Sequence, residues 1–139
     1  MLSTASILIA VTISFAQGIK GIARDLSAVK FDQDDHVKCL MEAVESGNFA
    51  TGPSTLILKT PPKCVVPWHY HSSTEQLIIV RGSVLAEMEG MAPAVLGPGG
   101  FAMMPSQMKH EFSCGSKSEC VMVASFDGPT HTIWIQTNR

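Results

Sequence analysis

Two histidines one residue apart, His69 and His71, are followed at a spacing of four by Glu75, and another, His110, comes much later. Imidazole nitrogens and carboxylate oxygens are ligands for divalent Fe, Mn, Zn, Ni, Cu or Co. Residues two apart on an extended segment project to the same face, so both imidazoles of His69-Tyr70-His71 meet one side. Ser72-Ser73-Thr74 then turns the chain, and Glu75 opens the next strand able to face the same way. His110 alternates with Phe112 on one face, leaving Lys109 and Glu111 to the other. Four protein donors on an octahedral ion leave two positions for water, substrate or dioxygen, and an open position is what a catalytic centre keeps.

The elements that must carry these residues are short. After Gly52-Pro53 the chain breaks into apolar runs at 54–59, 64–71, 75–81, 83–90, 93–96, 101–104, 109–114, 119–126 and 130–135, separated by turn residues. Arg81-Gly82-Ser83 reads as a tight hairpin. With 11 Gly and 8 Pro in 139 residues, 45% hydrophobic and 16% charged, the chain reads as one all-β domain, a sandwich or barrel. Before Gly52 the pattern is mixed. FDQDDH (31–36) reads as a solvated loop without calcium-loop spacing, and 38–46 as one or two turns of helix or an irregular arm against the barrel.

At this point the sequence resembles a known superfamily. His69-x-His71-x3-Glu75-x6-Gly82 follows the first cupin motif, and Gly99-x5-Pro105-x-Gln107-x2-His110-x3-Cys114 follows the spacing of the second. The leading glycine of the first motif is replaced by Lys63, a glycine of the second by Gln107 and its closing asparagine by Cys114. Over about residues 54–135 the chain looks most like small single-domain bacterial cupins, including exported ones and the cupin domain of ChrR-type anti-sigma factors. The resemblance implies a double-stranded β-helix, or jelly-roll barrel, with an irregular N-terminal arm. It also implies one divalent ion held by His69, His71, Glu75 and His110. The expected organisation is a signal peptide at 1–16, the arm at 17–52 and the barrel at 53–139.

Several neighbours of the motifs bear on a ligand pocket. Phe112, on the His110 face, is the best candidate for an apolar wall; Met103 and His131 are weaker ones, and Val65 and Val66 add apolar surface. Trp68 and Tyr70 alternate away from the ligands and read as packing. Gln76 and Ser72 are nearby polar residues able to orient an imidazole. His36 lies outside the motifs.

Residues 2–19 carry no charged side chain, and Ile7–Ala16 is an apolar block ending in Ser14-Phe15-Ala16, the pattern of a cleavable export signal. Export predicts a periplasmic or secreted protein, with no membrane contact after cleavage; without cleavage it would be cytoplasmic. An oxidising compartment goes with disulfides. Cys114 and Cys120 flank a turn-like insert at what reads as a hairpin mouth, leaving Cys39 and Cys64 as the second pair. Ten Lys and Arg against 12 Asp and Glu give a net charge of −2, so no basic surface recommends nucleic acid.

The expected partner is therefore a small-molecule ligand or substrate. A homodimer is also expected, because small barrels leave sheet edges open. The leading functional expectation is a metal-dependent dioxygenase acting on a small apolar or aromatic substrate, with Glu75 able to serve as base. Two alternatives are a non-catalytic metal or ligand-binding or sensing module, and a non-redox metal-dependent isomerase or lyase.

Overall fold

Period-2 alternation along the short apolar runs dictates strands with one buried face, and two such faces must close on each other. The computed structural model describes residues 20–115 and 117–136; the expected signal peptide lies outside them. A 3-10 turn at Leu26–Ala28 precedes eleven strands: β1 (Asp32–Gln33), β2 (Met41–Gly47), β3 (Ser54–Thr60), β4 (Val65–His71), β5 (Glu75–Arg81), β6 (Val84–Met88), β7 (Ala94–Leu96), β8 (Phe101–Met104), β9 (His110–Cys114), β10 (Cys120–Phe126) and β11 (Thr132–Trp134). One antiparallel sheet has the order β1-β2-β3-β10-β5-β8 and the other β11-β4-β9-β6-β7. This is the all-β jelly roll expected, and each of the nine apolar runs after Gly52 contains a strand. Leu77, Ile79, Val84 and Met104 are almost fully buried between the sheets.

Two junctions that read as hairpins are corners instead. β5 and β6 flank Gly82 but belong to different sheets, as do β9 and β10 on either side of the Cys114–Cys120 insert. A glycine and alternating strands announce a reversal, yet they do not say which sheet the next strand joins. The two corners pack on each other. Gly82 has φ +86°, and a Cβ there would lie 2.6 Å from the Glu119 carbonyl oxygen and 2.8 Å from Cys120 Sγ, so only glycine fits. Gly115 N–H donates to the Ser83 carbonyl at 2.7 Å. The expected Cys114–Cys120 disulfide forms (Cα–Cα 5.9 Å), but it staples one sheet to the other rather than closing a hairpin.

The helical alternative for 38–46 is not realised. Met41–Gly47 is β2, paired antiparallel with β3, including Glu42 opposite Leu58 and Val44 opposite Leu56. The edge of β3 offers unpaired backbone groups, and pairing with them outweighs weak local helix preference. Cys39, just ahead of β2, bonds Cys64 at the start of β4 (Cα–Cα 5.8 Å). The expected second disulfide thus ties the arm to the sheet opposite the one it joins.

Lys63 and Gln107, which stand where the motifs have glycine, adopt φ +67° and +69°. The backbone keeps the left-handed turn even though the residues carry side chains. Gln107 N–H donates to the His71 carbonyl at 2.8 Å, and Lys63 N–H to the Cys114 carbonyl at 3.1 Å. Both strained turns are thereby fastened close to functional strands.

Candidate metal centre

A β-bulge places the first two histidines. Val66 pairs Phe112 and His69 pairs His110, so three steps on β4 answer two on β9. The extra residue falls at Pro67-Trp68, where proline's missing N–H costs no ladder bond. Without it, the buried face containing Val66 would continue through Trp68 and Tyr70; with it, His69 and His71 turn inward. As expected, Trp68 and Tyr70 take the other side. His110 lies directly across from His69, and Glu75 enters from the other sheet, where it pairs Met104 on β8 and Phe126 on β10.

The four predicted ligands converge. His69, His71, Glu75 and His110 are 4%, 8%, 4% and 0% exposed, and one donor atom of each lies within 4.8 Å of the others. Donors at about 2.1 Å from a common ion sit roughly 3 to 4.2 Å apart in octahedral geometry. Glu75 Oε2 is 3.2 Å from both His71 Nε2 and His110 Nε2.

Hydrogen bonds behind the rings fix which nitrogen faces the centre. His69 Nδ1 is 2.7 Å from the Pro67 carbonyl oxygen and His110 Nδ1 is 2.8 Å from that of Met108. A carbonyl only accepts, so both Nδ1 atoms carry the proton and donate it, leaving each Nε2 lone pair free inward. His71 Nδ1 lies 3.2 Å from Thr132 Oγ1. The orienting groups are therefore two backbone carbonyls and a threonine, rather than Gln76 or Ser72. Gln76 is exposed on the outward face of β5; Ser72 Oγ instead accepts the His131 backbone N–H at 2.9 Å. A sequence shows no backbone carbonyls, but the HxH spacing around Pro67 was the available cue.

The electrostatics suit a cation. Burial, reinforced by the neighbouring His110, pushes the His69 imidazole down to about 4, keeping it neutral and able to ligate at neutral pH. Burial alone would raise Glu75, but protonated His110 and His71 rings, donating to it and charging its surroundings, hold the carboxyl down to about 2. With those rings neutral and their Nε2 atoms bare, a metal ion is what takes the place of the protons. Glu75 Oε2 and His110 Nε2, though close, do not align as a hydrogen bond and have no other partner. Two buried lone pairs aimed at a shared point without a proton between them are costly unless something positive joins them. The donor set, its burial and these orphaned atoms fit one divalent ion.

Beside the centre lies a cavity of about 350 Å³ whose lining includes His69, His71, Glu75 and Phe112. Phe112 lines this cavity, and His131 reaches it from the loop before β11. Met103 does not: it is 49% exposed on the outward face of β8, and its neighbour Met104 points inward. Period-2 alternation allows only one of two adjacent methionines inside, and Glu75 pairing with Met104 selects which. Val65 is likewise outward, whereas Val66 lines the cavity. Sequence reasoning missed Trp134, whose ring lies 4.9 Å from His69 and stacks on His36 at 4.2 Å. It also missed Glu42 and Asp34, which line the cavity from the arm. A carboxylate at a position whose strand partner is apolar was the signal for Glu42, visible only once β2 is known to be a strand.

Among solved structures, the fold is similar to the DMSP lyase DddQ from Ruegeria pomeroyi DSS-3 (TM-score 0.69, 17% identity, 81% of this chain and 64% of that one). It is also similar to the polyketide cyclase RemF from Streptomyces resistomycificus (TM-score 0.69, 16% identity, 86% and 89%). An oxalate oxidase in complex with the substrate analogue glycolate is a third (TM-score 0.64, 18% identity, 82% and 63%). The chain thus spans about two thirds of the lyase and the oxidase, and at these identities the likeness is one of fold. No curated protein matches this chain in sequence. The family model described as "Cupin domain" matches residues 56–126, a stretch that holds both motifs and all four converging side chains, and the chain belongs to the cupin family.

Proposed function

We propose that the protein is a metal-dependent oxidoreductase of the dioxygenase type, acting on a small apolar or aromatic substrate. The observation that carries this reading is a buried three-histidine, one-carboxylate group opening onto a largely apolar cavity of about 350 Å³. His69, His71, Glu75 and His110 would hold the ion through their inward atoms. When bound, a redox-active divalent ion supplies electron exchange with dioxygen and Lewis acidity. Phe112, Phe126 and Trp134 exclude water and orient a flat substrate beside His69 and His71. Glu75 is the proposed base. Its carboxyl is held below its usual range beside the two imidazoles, and Oε2 is the atom that would accept a proton.

The two disulfides support residence in an oxidising compartment, and with the N-terminal apolar block they favour export to the periplasm or beyond. No helix among the described residues is long and apolar enough to cross a membrane. Ile78, Val80, Phe101 and Met103 are 45–54% exposed along β5 and the edge strand β8. This apolar edge supports a homodimer.

The test is oxygen consumption by iron-, manganese-, copper- or nickel-loaded protein presented with catechols and β-diketones. Uptake is expected only with both metal and substrate present, and His110→Ala and Glu75→Ala abolish it. A non-redox lyase or isomerase is the second reading, favoured by the lyase and cyclase among the similar folds. Conversion without oxygen uptake decides for it, and binding without any conversion decides for a binding or sensing module.

A further inference from the structure

The cavity has a second polar pole, remote from the metal centre. Glu42 on β2 pairs with Leu58 on β3, which pairs with Met122 on β10. Directly opposed residues of antiparallel strands share a face, and all three line the cavity. A carboxylate therefore stands on an inward position otherwise filled by Leu and Met. It lies three strands from Glu75 in the sheet order, about 14 Å around the barrel at ordinary strand spacing.

Among the described residues, Glu42 has no compensating cation: no ion pair includes it, and the nearby Lys38 ammonium is directed to the backbone carbonyls of Asp34 and Asp35. Asp34, which also lines the cavity, spends Oδ1 on the N–H groups of His36 and Val37. A second, independent feature belongs to the same cavity. Thr130 lines it at 7% exposure, and its hydroxyl has no partner among the described residues. Its backbone N–H meanwhile donates to the carbonyl of the arm's Phe49 at 2.7 Å. An orphaned buried hydroxyl is costly unless a ligand satisfies it.

We infer that Glu42 is the specificity-determining residue for a small organic ammonium group, which the cavity takes between the arm carboxylates and its apolar and aromatic walls. The Thr130 hydroxyl, about four ladder steps away at the Phe126 end of the cavity, is left to accept from or donate to a polar group elsewhere on the ligand. Partial burial and the negative charges of Asp34, Asp32 and Asp35 raise the Glu42 carboxyl above its usual range. The same charges that favour a proton there favour any other cation. Phe49, Leu40, Leu58 and Trp134 make a bare inorganic ion the poorer occupant and an alkylammonium or arylalkylammonium the better one. The inference deepens the proposed function by naming a substrate class, and it rests on that reading only for the role of the metal end.

Calorimetric titration of the purified, oxidised protein with benzylamine, benzyl alcohol and calcium chloride tests it. Benzylamine is expected to bind about tenfold or more tightly than benzyl alcohol, a cation preference of ordinary size. Glu42→Gln is expected to reduce benzylamine to the level of the alcohol while metal content stays unchanged, and Glu42→Asp to keep part of the preference. Equal or absent binding of the two organic probes overturns the proposal, as does a preference that survives Glu42→Gln. Calcium binding that Glu42→Gln removes, without a benzylamine preference, reassigns the cluster to inorganic cations and overturns it too. Benzylamine carries no carboxylate for the metal, so this outcome and the metal content found by elemental analysis can fail independently.

Discussion

The barrel centre and the arm that borders its cavity are held in opposite ways. His69, His71 and His110 sit on β4 and β9 at the meeting of paired strands, backed by Pro67, Met108 and Thr132. Their positions follow from ladder register and one bulge, and they stay put because every neighbouring strand is paired. The arm from Asp32 to Gly47 has one partner strand, β3, for most of its length. The Cys39–Cys64 bridge and the stacking of His36 on Trp134 supply its other fastenings. Chemistry that must be held to a fraction of an ångström is built on the doubly paired strands; the wall that selects the ligand is built on the edge, where change costs less.

Removing the bridges one at a time is the most forceful way to break this comparison. By loop-closure entropy, Cys39–Cys64, which spans 25 residues, contributes about 3.5 kcal/mol and Cys114–Cys120, which spans 6, about 2 kcal/mol. The Cys39→Ser/Cys64→Ser double variant is expected to lose the larger amount in denaturant unfolding yet keep its bound metal, because no ligand lies on the arm. Equal losses from both pairs, or metal lost with the arm bridge, would erase the distinction between the regions.

The smaller test concerns the turns fastened beside the centre. Lys63 and Gln107 hold left-handed backbone that costs a non-glycine residue about 1 kcal/mol. Lys63→Gly and Gln107→Gly are each expected to stabilise by roughly that amount, less the added entropy of the unfolded chain. Unfolding midpoints check this, and destabilisation by either change would show that the side chains, not the turns, matter there.

The same contrast explains what was legible in the sequence. Ligand type and spacing revealed His69, His71, Glu75 and His110, because few arrangements other than a metal site need those residues so placed. The nine strand segments after Gly52 were legible from alternation bounded by Gly and Pro. The bulge at Pro67-Trp68 was not, although it decides which face His69 takes, since a one-residue insertion leaves no compositional mark. Nor was sheet membership: Gly82 and the Cys114–Cys120 insert announce reversals but not corners. Met103 and Met104 are indistinguishable until the pairing of Glu75 chooses between them. β2 escaped notice because Glu42 interrupts its apolar face, and that interruption is where the ligand-facing carboxylate stands.

The central claim, that one cation is gripped by side chains from both sheets, is tested most directly by anomalous scattering from crystals of protein purified without chelator. The expected result is a single peak about 2.0–2.4 Å from His69 Nε2, His71 Nε2, His110 Nε2 and a Glu75 carboxylate oxygen. Protein that takes up stoichiometric metal with no peak between those four atoms, or with its peak elsewhere, would contradict it.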